Sequence, residues 1–155
     1  MCLYTLFEKP LKAEKDIVVY KVLYLENGQY YAPVVNDTKK INYVYTKGLN
    51  RPYEPFDETS IEKSEFYGAF RVSWGWLHSY SDEKEANVAM EEFNKEAKVY
   101  VLGKGEYVIV KMIIPKDCEY FISDDRKEYC SQCLSWDGEV FKKDENLNIK
   151  KLLAY

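Results

Sequence analysis

The stretch GAFRVSWGWLHSY, residues 68–80, holds two of the three tryptophans and the only histidine of the chain. His78 could act as a general base or a ligand, because imidazole is the side chain whose unperturbed pKa lies nearest neutrality. A Ser/His hydrolase built on Ser79 would need an acid to orient His78, and none is identified. A two-histidine phosphodiesterase is excluded by the single histidine. The plainer role for His78, just ahead of a helix start, is to bond backbone and fix the turn. Tyr67, Trp74, Trp76 and Tyr80 surround it with Arg71. Such rings most often fill a core. The functional alternative is a face that stacks on a flat ligand such as a nucleobase, with Arg71 on its phosphate, or that forms an interface hot spot. Gly68 and Gly75 stand seven apart and make no phosphate-loop motif.

Cys130 and Cys133 have the two-residue spacing of a zinc knuckle or a redox pair. Tetrahedral zinc would draw its remaining ligands from Cys118, Cys2 or His78, with no second close pair, so the expectation is ordinary thiols and no metal. The run DDRKE, 124–128, reads as a solvated turn. Glu128 within it is the carboxylate best placed for catalysis, since it follows one extended segment and precedes another.

These residues need elements to hold them. DIVVYKVLYLE from Asp16 is β-branched and aromatic, and Asn27-Gly28 after it is a hairpin turn whose two positions take positive φ. The partner strand covers 29–35, and Pro33 places it at an edge or ends it early. A short strand follows at 41–46, and 47–63, with Gly48, Pro52 and Pro55, reads as a long surface loop. EFYGAFRVSW is extended. Ala86, Ala89, Met90, Phe93 and Ala97 then share one helical face, predicting a helix over 82–97 with Ser81 as its cap. KVYVL and EYVIVKMIIP flank Gly103-Lys104-Gly105 as a second hairpin. Tyr107–Ile114 reads as a central strand covered on both faces, ended by Pro115. CEYFIS and part of CLSWDGEVF complete the strands, and NLNIKKLLAY fits a strand or a short helix. The expectation is α+β: a mainly antiparallel sheet, one principal amphipathic helix, one domain over 1–155.

With 22 basic against 26 acidic residues the net charge is −4, which argues against nucleic-acid binding driven by phosphate contacts. The 15 tyrosines suit half-buried sheet faces and binding surfaces alike. The sequence carries neither an apolar run of membrane-spanning length nor an export signal, so the expected location is cytoplasmic, and Cys2 is not read as a lipid anchor. No cofactor is called for.

MCLYTLFEKPLKAEKDIVVYKVL, GWLHSYSDEKEA and VKMIIPKDCEYF together resemble an uncharacterised family of small proteins from gut-type bacteria and their phages. The resemblance spans most of the chain. It implies a phage or mobile-element accessory protein, in the host cytoplasm if phage-encoded, that acts by binding a host protein or a nucleotide signal. The order of elements also resembles ADP-ribosyltransferase-like domains, in which an Arg or His on the first strand binds NAD and a glutamate promotes transfer. That resemblance implies Lys21, His78 and Glu128 as the residues at stake. Lys21 stands where the family has Arg or His, and Glu128 lacks the family's paired Glu or Gln. The leading reading is a non-enzymatic binding protein using Tyr67, Arg71, Trp74, Trp76, His78 and Tyr80, with the 47–63 loop as a further contact. An NAD-using enzyme or its inactive relative is the alternative, and a structural or assembly subunit, oligomeric through an exposed strand, is the third.

Overall fold

A computed structural model describes residues 3–5, 9–33, 43–52, 61–63, 70–72, 76–100 and 105–143. The elements are β1 (Leu3–Thr5), β2 (Leu11–Lys12), β3 (Ile17–Glu26), β4 (Gln29–Tyr31), β5 (Val44–Tyr45), β6 (Gly48–Asn50) and β7 (Ile61–Lys63). After them come β8 (Phe70–Val72), β9 (Leu77–Tyr80), α1 (Glu83–Tyr100), β10 (Glu106–Ile114), β11 (Glu119–Ile122), β12 (Glu128–Ser131) and β13 (Leu134–Lys143). The fold is α+β, with a predominantly antiparallel sheet and one main helix. Asn27 and Gly28 turn β3 into β4 at φ 52° and 76°. Gly105 is required for a different reason. A Cβ there would lie 2.5 Å from the Leu25 carbonyl oxygen, and its N–H donates to the Tyr24 hydroxyl at 2.8 Å.

The main sheet runs β2-β11-β12-β9-β3-β10-β13-β6, and β4 shares with β9 the edge of β3 opposite β10. Gln132 and Cys133 alone join β12 to β13, although β9, β3 and β10 lie between those strands. Four strand spacings in a flat sheet span about 19 Å. Three Cα steps from Ser131 to Leu134 reach at most about 11 Å. The sheet must therefore coil until its two halves face each other, as in a barrel wall. Val19, Leu23, Tyr45, Leu77, Val108, Val110, Met112, Ile114, Leu134 and Trp136 fill the inside of that coil.

Two covers protect parts of its outer face. Ala86, Ala89, Met90 and Phe93 of α1 pack on Val22, Tyr80, Tyr107 and Ile109. The small sheet β1-β8-β7 lays Leu3 against Trp76, Phe121 and Cys130. The helix cap is Asp82, whose Oδ1 accepts the Glu85 N–H at 2.9 Å. Ser81, the expected cap, instead donates its N–H to the Lys127 carbonyl, extending the contact between the two strand ends by one residue.

Three further expectations change. The helix runs on to Tyr100, so Lys98, Val99 and Tyr100 form no hairpin strand, and β10 already has β3 and β13 on its two edges. The region 47–63 is not one loop: Gly48–Asn50 pairs with β13 and Ile61–Lys63 with β8. The Asn50 side chain anchors the first of these, with Oδ1 accepting from Thr46 N at 3.0 Å and Nδ2 donating to the Thr46 and Leu134 carbonyls. Finally, Lys111 and Ile113 are exposed, so only the first half of β10 is covered on both faces. The expected strand residues 41–42 and the segment NLNIKKLLAY lie outside the described residues.

Candidate functional site

Along β3 the side chains alternate between two environments. Val19 and Leu23 point into the coil, and Val22 points out toward α1. Lys21 belongs to the inward set, at 5% exposure. It lies where β9 leaves β3, since the described ladder between them is the one pair Tyr20↔Tyr80. Its ammonium donates to the His78 carbonyl and stands 5.0 Å from the centre of the Tyr45 ring. Burial lowers its pKa to about 8, against an opposing influence from Cys130. Lys21 is thus a buried cation that closes the gap between two diverging strands.

His78 projects from the other side. Trp76, His78 and Tyr80 alternate along one strand direction, so they share the outer face. Trp76 lies under the small sheet and Tyr80 under the helix, and His78 sits in the seam between the two covers. Its ring faces Cys130, directly opposite in register, with Sγ 3.3 Å from Nδ1 and 3.4 Å from Nε2. Near-equal distances to both nitrogens place the sulfur off the lone-pair direction of either one, which is not the alignment of a nucleophile and its base. Burial, and then the Lys21 charge, lower the His78 pKa to about 3, so the ring is neutral. Cys130 has no exposed surface. The pair packs the seam.

Glu128 pairs with Tyr80 in register and is half-buried. Its pKa is raised by burial and then by the neighbouring carboxylates Asp125, Glu85 and Glu92. Burial and Glu128 together hold the Tyr80 hydroxyl well above its ordinary value. The structure therefore brings Lys21, His78 and Glu128 onto three adjacent strands, but it does not converge them. His78 and Glu128 leave the outer face, and Lys21 enters the coil.

Of the aromatic set, Trp76 and Tyr80 are 5% and 7% exposed, and neither offers a ring face to solvent. Trp76 meets Phe121 edge-on at 5.2 Å, the packing expected where two apolar layers close. Arg71 pairs with Tyr4 and Glu62 through its backbone in β8. Tyr67 and Trp74 lie outside the described residues. The two cysteines of the CxxC spacing also separate: Cys130 packs with Trp76 and Phe121, while Cys133 packs inside the coil against Cys118. Among the described residues, no group of three or more His, Cys, Asp or Glu could hold a metal ion. No described helix is long and apolar enough to cross a membrane.

Open apolar surface lies elsewhere. Past the end of the α1 footprint the outer face shows Val18, Ile113 and Phe141 at 45%, 36% and 47% exposure. Val18 and Ile113 are direct cross-strand partners. The ladder of β10 and β13 shifts between Ile109↔Lys142 and Val110↔Val140, a bulge at Phe141. The extra residue sends both Phe141 and Lys142 outward. Lys142 reaches Asn87 on α1 at 3.1 Å, and Phe141 meets Tyr20 edge-on at 5.5 Å. Lys111, opposite Tyr20, is exposed and has no ion-pair partner among the described residues. The sequence did carry a signal for this patch, because a lysine two residues before Ile113 marks that stretch of the outer face as open. Comparison of the chain with protein-family models, curated proteins and solved structures finds no match.

Proposed function

We propose that this is a non-enzymatic binding protein that docks a partner protein on the open half of its outer sheet face. The supporting observation is the exposed set Val18, Ile113 and Phe141 gathered around Tyr20 and Lys111. Aromatic and branched side chains around Lys111, which has no ion-pair partner among the described residues, favour an apolar protein surface that brings it a carboxylate. The sequence resembles small phage and gut-bacterial proteins at its anchors, and that resemblance implies an accessory protein acting on a host protein. The test places a photoreactive amino acid at Phe141, Ile113 or, as a control, Glu91 on α1, in the full chain expressed in bacterial cells. One partner cross-linked from 141 and 113 but not from 91 is expected. Equal labelling from all three positions, or none, overturns the proposal. A second copy of the chain in the cross-link moves the reading to an assembly subunit.

His78, Tyr80 and Glu128 on one face favour a second reading, an NAD-using enzyme or its inactive relative. Nicotinamide release from NAD that disappears in Glu128→Gln would establish it. The inward course of Lys21 works against it, because a cation inside the coil cannot meet a ligand held on the outer face.

A further inference from the structure

Cys118 and Cys133 occupy the two short crossings that carry the chain between facing halves of the coil. Cys118 lies between β10 and β11, and Cys133 between β12 and β13. Their sulfurs are 2.7 Å apart, within roughly one ångström of the about 2.05 Å of a disulfide bond. Both are free thiols. They are held side by side from both flanks. The Ala13 N–H donates to the Cys118 carbonyl at 2.9 Å, and the Ser131 hydroxyl donates to the Cys133 carbonyl at 3.1 Å. The Gln132 N–H donates to the Glu119 carbonyl at 3.1 Å, tying one crossing to the other. Each cysteine keeps a small exposed share, 7% and 8%, whereas Cys130 keeps none.

We infer that Cys118 and Cys133 form a two-electron redox site, converted to an intramolecular disulfide by a small-molecule disulfide, with Cys130 taking no part despite its CxxC spacing. In the first exchange the Cys133 sulfur, as thiolate, bonds to one sulfur of the small disulfide and expels the other as a thiolate. In the second, the Cys118 thiolate attacks the Cys133 sulfur of that mixed disulfide and expels the second small thiol. The two protons lost by the cysteines end on the two small thiols, and the two electrons reduce the small disulfide. Burial, followed by the Cys133 contacts, holds the Cys118 thiol up at about 12. Closure is therefore slow, and faster at alkaline pH. Once made, the bond staples both crossings and fixes the curl of the sheet.

The experiment incubates the full chain with oxidised glutathione under native conditions, then quenches with acid, denatures and alkylates. The expected result is an intact mass lower by two hydrogens, with Cys118 and Cys133 protected and only Cys2 and Cys130 alkylated. A rise in melting temperature that dithiothreitol reverses should accompany it. Cys130→Ser should give the same bond, and Cys118→Ser should stop at a glutathione adduct on Cys133. A Cys130–Cys133 link, a persistent adduct on the unsubstituted chain, or four alkylated cysteines overturns the inference. Because the readout on the unsubstituted chain stands alone, a variant that fails to fold does not blunt it.

Discussion

The outer face of β3 and β10 carries branched apolar residues at both ends, yet Val22 and Ile109 are sealed under α1 while Val18 and Ile113 are open to solvent. Composition does not separate the two halves, since each pairs a valine of β3 with an isoleucine of β10. The difference lies in what the helix reaches. Ala86, Ala89, Met90 and Phe93 form a face that ends over Tyr80 and Ile109, and nothing among the described residues continues it toward Ile113. An α+β layer gains most of its stability where both layers are present. Among the described residues, the remainder of that face has no second layer over it.

The sharpest way to break this comparison is to truncate the same residue type in each half. Ile109→Ala should cost about 2–5 kcal/mol, the range for deleting a buried isoleucine and leaving a cavity. Ile113→Ala should cost less than about 1 kcal/mol, because solvent already meets much of that side chain. Urea unfolding of the two variants measures both. Equal losses would mean that Ile113 is as well packed as Ile109, and the open half would not be open.

A second test uses the inner face of the same strand. Lys21 has a folded pKa of about 8 against an ordinary lysine value of 10.5. Between those values the unfolded chain holds a proton that the folded chain has released, so stability rises with pH. Below pH 8 both states are charged and the penalty is constant; above 10.5 it is gone. The full rise is worth roughly 3 kcal/mol. Tyr80, Tyr24 and Tyr129, whose hydroxyls are all raised by burial, lose stability in the upper part of that window, which would mask the effect in the parent alone. The measurement is therefore the parent minus Lys21→Met, by chemical unfolding from pH 7 to 10. The substitution also removes the bond to the His78 carbonyl, but that shifts the difference by a constant and leaves its slope intact. A difference that does not change with pH would place the ammonium in water.

Much of the fold was legible in the residues because local rules decide local structure. Asn27-Gly28 can hardly be read as anything but a turn, and the Ala86, Ala89, Met90, Phe93 spacing fixes the buried side of α1. Strand alternation sends successive side chains to opposite faces. It could not say which parts of a face would be covered, and that is where the site readings diverged from the structure. Trp76 and Tyr80, which with Arg71 read from sequence as core rings or as one binding face, lie under two different covers. Lys21 and Glu128 lie within two strands of each other, but a one-residue difference in phase sends them to opposite sides. The CxxC spacing is silent on cover and on phase in the same way. Cys130 is fixed in a ladder facing His78, whereas Cys133 belongs to a crossing, so sequence neighbours became members of separate clusters. The coil itself was hidden until the strand order was known, because a two-residue connection constrains geometry only once its ends are placed.

The smallest expected effect on stability is the one most closely tied to function. Phe141→Ser removes a ring that is 47% exposed and whose described ring partner is Tyr20, at 5.5 Å. An edge-on aromatic pair contributes about 0.5–1.5 kcal/mol beyond area burial, and half-exposure puts this one near the lower bound. The bulge should survive, since its register is carried by Val140 inside the coil and by Lys142 against Asn87 rather than by the ring. Urea unfolding should therefore show an unchanged denaturant slope and a loss of about 0.5 kcal/mol, while cross-linking from Ile113 to the partner falls away. A loss approaching that of Ile109→Ala would show Phe141 to be a core residue, and the surface proposed for docking would shrink to the isolated pair Val18 and Ile113.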